Sequence, residues 1–133
     1  MTKHTTELKA EFSIDGWDEQ PLVADTGNGK LTRAVVEKTY TGDVEGHSTT
    51  EWVMAYAGDG SATFVGMEHL DGTIGGHKGG LVLRHVGTYA DGVASADLTV
   101  APSSGSGELA GADGTGELRA DPSGKVSLRL STT

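Results

Sequence analysis

The sequence predicts an all-β fold, a closed antiparallel barrel of about eight strands around a mainly apolar lumen. Three observations lead there. Apolar residues recur at every second position over many short segments. Twenty-one glycines, against three prolines, punctuate those segments at the short intervals that tight turns require. No stretch carries a helical apolar stripe of useful length.

The elements follow in order. Leu8, Ala10, Phe12 and Ile14 alternate with Lys9, Glu11, Ser13 and Asp15, the pattern of a half-buried strand. From Gly16 through Gln20-Pro21 to Thr26-Gly27-Asn28-Gly29 the alternation loosens into a turn-rich connection, with room for a short strand around Leu22 to Ala24. Thr32 to Thr41 is rich in β-branched and aromatic residues and reads as the second strand. Gly42 to Gly46 marks a turn or bulge. Thr49 to Ala57, Ala62 to Leu70, Lys78 to Tyr89 and Val93 to Ala101 are the next four. Glu108 to Ala110, Thr115 to Ala120 and Lys125 to Leu130 complete the set, and Pro102 to Gly107 reads as a mobile loop.

The turns predict register. Asp91-Gly92 is a type I′ signal that sets His85 opposite Leu98 and Leu83 opposite Val100. That face is apolar apart from His85, so His85 points inward. A three-residue loop at Gly58-Asp59-Gly60 groups Trp52, Met54 and Tyr56 with Phe64, Gly66, Glu68 and Leu70. A two-residue loop would set Glu51 against Glu68, which is repulsive. Gly75-Gly76 then puts Leu70 opposite Leu81, Glu68 opposite Leu83 and Gly66 opposite His85. Asp121-Pro122-Ser123-Gly124 reads as a type I turn closed by a glycine bulge. It would pair Leu118 with Leu128 and Ala120 with Val126, and set Glu117 against Arg129 outside.

Length and charge bound the rest. The 133 residues make one domain, 1–133, with a barrel core over about 7–131. The absence of cysteine excludes a disulfide scaffold and a thiolate zinc site, and fits a cytoplasmic location. A formal charge of −9 disfavours nucleic acid and anionic membrane as partners. No signal peptide or membrane span is visible.

Phe64-Val65-Gly66-Met67-Glu68, then Gly72, Gly76 and Gly79, then His85-Val86-Gly87, then Gly105 to Gly111 resemble an uncharacterised bacterial domain family. Its members resemble the allene oxide cyclase barrel, a calycin-like fold, and the resemblance runs from about Phe12 to Leu130. It implies a barrel of about eight antiparallel strands. Allene oxide cyclases close a ring in an unsaturated fatty-acid epoxide, and related barrels fold polyketide substrates. The resemblance carries no catalytic residue over, because the family has no agreed activity. An Arg and a Ser often stand in that family where this chain has His77 and Gly80.

Glu68 and His85 are the sharpest candidates for chemistry. As diagonal inward neighbours they would lie roughly 7–8 Å apart at their backbones. A carboxylate in an apolar lumen has its pKa pushed up by desolvation, and an imidazole beside it can exchange the proton. That pairing suits an isomerisation or ring closure, with Glu68 as base and His85 as its partner. It equally suits a buried hydrogen-bonded pair that ties two strands together. Trp52, Met54, Tyr56, Phe64, Leu70, Leu81, Leu83 and Leu98 would line the lumen or fill it, with Tyr40 a further aromatic. Arg33 and Lys38 fall on opposite faces of the second strand. The inward one could bind a ligand carboxylate, but a long side chain is expected to snorkel to solvent. Trp17 is placed to plug one barrel end.

No cofactor and no metal are expected. No two of the five histidines have His-x-His spacing, and His77 and His85 stand roughly 26 Å apart along one strand. Val65, Met67, Val82 and Val86 fall on the outer face and suggest a homo-oligomer, a dimer. The functional expectation is a barrel that binds a small apolar molecule, as isomerase or cyclase. The alternatives are a non-catalytic binding barrel and a structural partner protein.

Overall fold

The computed structural model describes residues 4–23, 27, 29–121 and 123–132. Eight strands follow one another around a closed antiparallel barrel, β1 returning to pair with β8. They are β1 (His4–Val23), β2 (Gly29–Gly42), β3 (Val44–Ala57), β4 (Ala62–Ile74), β5 (His77–Ala90), β6 (Val93–Val100), β7 (Asp113–Ala120) and β8 (Gly124–Thr132). The expected fold class is what forms. Closure pairs β8 with His4 through Phe12 of β1, along which an open sheet of this size would leave two free edges. Among the described residues no helix is long and apolar enough to cross a membrane.

The central hairpins have the register the turns predict. Asp91 and Gly92 both have positive φ, and His85 pairs with Leu98 and Leu83 with Val100. Gly75 and Gly76 likewise have positive φ, and Glu68 pairs with Leu83 and Gly66 with His85. Ala57 N–H donates to Ser61 O, leaving Gly58 to Gly60 as a three-residue loop, and Trp52 pairs with Gly66.

Four expectations are corrected. The stretch after Gly16 is strand, because β2 is long enough to pair with Gly16 through Val23. Ala24, Thr26 and Asn28 of the expected connection lie outside the described residues. A register shift between Ile14 and Gly16 reverses the alternation. Ile14 is consequently exposed, and Trp17 lies edge-on to Trp52 with ring centroids 5.7 Å apart.

Glu108 to Ala110 is not a strand. A 3-10 turn covers Gly107–Leu109, with Gly107 at positive φ and Leu109 fully buried at one end of the barrel. The loop before it is pinned to β5 rather than free. Ser104 and Ser106 hydroxyls accept from Val82 and Gly80 N–H at 3.1 Å each, and Ser106 N–H donates to Gly80 O.

β7 and β8 pair two residues tighter than expected, Leu118 with Val126 and Ala120 with Gly124. Pro122 of that turn lies outside the described residues. Gly124 serves packing rather than the bend: it pairs with Phe12, whose ring occupies the space a Cβ would need. A shift of two preserves the faces. Glu117 and Arg129 therefore still form an ion pair, now diagonally across the ladder.

Candidate functional site

The even-numbered face of β2 carries Ala34, Val36, Lys38 and Tyr40 into the barrel, all buried. β3 brings in Ser48, Thr50 and Trp52, β4 brings Glu68 and β5 brings His85. Val36, Thr50, Glu68 and Leu83 form one cross-strand row. Lys38 pairs with Ser48, one step along, and Trp52 reaches His85 across Gly66. Gly66 leaves no empty space beside the imidazole, as a Cβ there would stand 2.6 Å from the Trp52 ring.

Glu68 is the hub. Tyr40 OH and Ser48 OH donate to its Oε2 at 2.5 and 2.6 Å. His85 Nε2 lies 2.8 Å from its Oε1, and Lys38 Nζ lies 3.6 Å from the same atom. Trp52 Nε1–H donates to His85 Nδ1 at 3.2 Å. An indole N–H can only donate, so Nδ1 must accept and the imidazole proton sits on Nε2, facing Glu68. Burial holds His85 below the usual histidine range, against the pull of Glu68, so the ring is neutral at neutral pH.

The Glu68 carboxyl departs from expectation. Burial alone would raise its pKa, but the Lys38 charge and the donors from His85 and Ser48 outweigh burial and hold it at about 2. Burial pushes the Tyr40 hydroxyl well up, and the neighbouring carboxylate adds to that shift.

Lys38 does not snorkel. Its side chain is fully buried, with Nζ 4.6 Å from the Phe12 ring centroid and 5.1 Å from that of Trp52. Burial lowers its pKa, although Glu68 opposes the shift. Nζ makes no hydrogen bond among the described residues, and neither does the buried Thr50 Oγ1. The outward residue of the expected pair is Arg33, which bridges Glu51 at 2.6 Å.

Of the expected lining residues, Trp52, Met54, Phe64, Leu70, Leu81, Leu83 and Leu98 are buried in one apolar cluster. Tyr56 is half-buried near Trp17, where its hydroxyl donates to Glu19 at 2.8 Å. Burial and the Glu19 carboxylate push that hydroxyl up to about 12. Trp17 Nε1–H and Thr32 OH also donate to Glu19, so this end carries a second carboxylate hub that the sequence reading did not single out. His85 is the only buried histidine of the described residues, and none of their His, Asp and Glu side chains group in threes to hold a metal.

Ser48 and Thr50 were not among the expected site residues, and Lys38 was named only as one of two candidates for an inward cation, expected to snorkel. Parity was the available signal for Lys38, since Val36 and Tyr40 two positions either side are both core-like.

A family model described as a protein of unknown function (DUF3224) matches residues 8–131, and the chain belongs to that family. The crystal structure of a protein of unknown function from the same family, from Shewanella oneidensis MR-1, is similar throughout. It shares 28% identity over 98% of this chain and 99% of that one, with a TM-score of 0.79. No curated protein matches the chain.

Proposed function

We propose that this DUF3224 barrel binds a small, mainly apolar molecule carrying a carbonyl or hydroxyl oxygen, and that Lys38 and Thr50 are the polar end of the site. One observation carries the reading. Two buried polar groups on adjacent strands, Lys38 Nζ and Thr50 Oγ1, have no hydrogen-bond partner among the described residues. A buried ammonium without hydrogen bonds is costly, and such groups are commonly completed by a ligand or an ordered water. Lys38 is already charge-balanced by Glu68 at 3.6 Å, so a neutral oxygen suits it better than a second anion. Phe12 and Trp52 supply apolar contact beside it.

Isomerisation or cyclisation with Glu68 as base and His85 as partner is a finer form of the same reading. It is the less favoured form. A carboxylate held at about 2 that already accepts three hydrogen bonds is a weak base, so Glu68 and His85 serve better to hold Lys38 in place. The allene oxide cyclase resemblance adds an analogy of fold to this and no residue. A structural role for the network is the second reading. It is favoured by the rings of Trp52 and Phe64 occupying the space beside Gly66 and Gly87.

The test is native mass spectrometry of the folded protein with apolar ketones, aldehydes, alcohols and cell extract. Wild type is expected to retain a ligand that Lys38→Met, still folded by circular dichroism, does not. Recovery of a transformed ligand would restore the catalytic form. Retention of nothing from any source would overturn binding and leave the structural reading.

A further inference from the structure

The outer wall over β3 to β5 is apolar where a soluble barrel is usually polar. Val53, Val65, Met67 and Val86 are all 41–54% exposed. Val53, Val65 and Val86 line a groove of about 770 Å³ that also takes in Leu31 and Ala55, and Met67 stands beside it on β4.

The charges around this patch are arranged symmetrically about β4. Arg33, Val53, Val65, Val86 and Asp97 form one cross-strand row on β2 to β6. Val35, Glu51, Met67, Arg84 and Thr99 form the next. In the first row the basic end is two strands before Val65 and the acidic end two strands after it. In the second, Glu51 stands one strand before Met67 and Arg84 one strand after.

We propose that this face docks a second copy of the same chain, about a two-fold axis running along β4. A two-fold axis in that position exchanges the two sides of each row. Val65 and Met67 then meet their own counterparts, Val53 meets the partner's Val86, and Glu51 meets the partner's Arg84. Arg33 faces the partner's Asp97 farther out, where the curved walls part. Both new ion pairs join opposite charges, and no like charges are brought together in either row.

Two further features fit a second copy. The chain carries a formal charge of −9, which resists self-association. Yet two of its four arginines, Arg33 on β2 and Arg84 on β5, are exposed on this face and are matched there by the exposed Glu51 and Asp97. The docking face is therefore close to neutral, and Arg and Met are residues enriched at interfaces. Arg84 and Asp97 also make no ion pair among the described residues, whereas Arg33 already bridges Glu51. Docking would complete an Arg33–Glu51–Arg84 chain across the interface.

Sedimentation velocity across a range of protein concentrations tests this. Wild type is expected to form a concentration-dependent dimer. Arg84→Glu sets two carboxylates against each other and should weaken the dimer by about tenfold or more. Glu51→Lys together with Arg84→Glu should restore it, and Val65→Asp should abolish it. These side chains are exposed, so melting curves will show the fold retained. A monomer at every concentration would overturn the proposal. So would a dimer indifferent to Arg84→Glu, or one that the double exchange fails to recover.

Discussion

The two halves of the barrel wall are patterned oppositely. In β6 to β8 the inner face is apolar, with Ala96, Leu98, Val100, Leu118, Val126, Leu128 and Leu130 buried. Their outer face carries Asp97, Thr99, Glu117, Arg119 and Arg129. In β2 to β5 the lumen receives Lys38, Ser48, Thr50, Glu68 and His85, while Val53, Val65, Met67 and Val86 face outward. The first half obeys the rule that a half-buried strand hides its apolar side. The second breaks it on both faces. Local rules are most often broken where binding or recognition needs it, so the two proposed sites lie back to back on one hairpin pair.

The largest expected effect comes from removing the cation of the polar half. Lys38→Met leaves Glu68 charged in the core without its counter-ion, and should cost about 3–5 kcal/mol in urea unfolding at neutral pH. Adding Glu68→Gln removes the uncompensated charge and should recover most of that loss. If the single variant is as stable as wild type, Lys38 is not the counter-ion, and the contrast between the halves loses its centre.

Acid should act through the same half. Glu68 has a folded pKa of about 2 against an ordinary 4.5, so the unfolded chain binds more protons between those values. Its stabilisation, about 3 kcal/mol, is complete above pH 4.5 and fades as pH falls towards 2. His85, lowered from 6.5, adds a slope of the same sign just below that pH. Urea unfolding between pH 2 and 7 should show both slopes, and Glu68→Gln should flatten the lower one. A wild-type curve that is flat from pH 4.5 to 2 would contradict the lowered Glu68 pKa.

The smallest effect compares the same substitution in the two halves. Val65→Thr places a hydroxyl in water and should change stability by less than about 0.5 kcal/mol. Val126→Thr places it in the apolar interior and should cost about 1–3 kcal/mol. Equal costs would mean that Val65 is covered under the conditions measured, which the dimer would itself produce at high concentration.

Much of this was legible because it is local. The faces of β3 to β6 follow from alternation and from turns at Gly58-Asp59-Gly60, Gly75-Gly76 and Asp91-Gly92. These placed Glu68 and His85 inward and side by side. Readings that used a glycine as punctuation without its packing partner went astray. Gly124 looked like a turn residue, but it lies in β8 because the Phe12 ring covers it. Gly16 looked like the start of a loop, but the length of β2 holds β1 extended beyond it.

By itself, then, the sequence determined the fold class and, for β3 to β6, the hairpin register and which side chains enter the lumen. A period of two and short turns act between neighbours in the chain and need no knowledge of the rest. Only the tertiary structure decided which inward groups meet. Lys38 on β2 and Glu68 on β4 are 30 residues apart in sequence, on strands separated by β3. Their 3.6 Å approach depends on barrel closure and on long side chains bending across the lumen. That approach reversed the expected acidity of Glu68, because a buried charge takes its pKa from the nearest opposite charge as well as from burial.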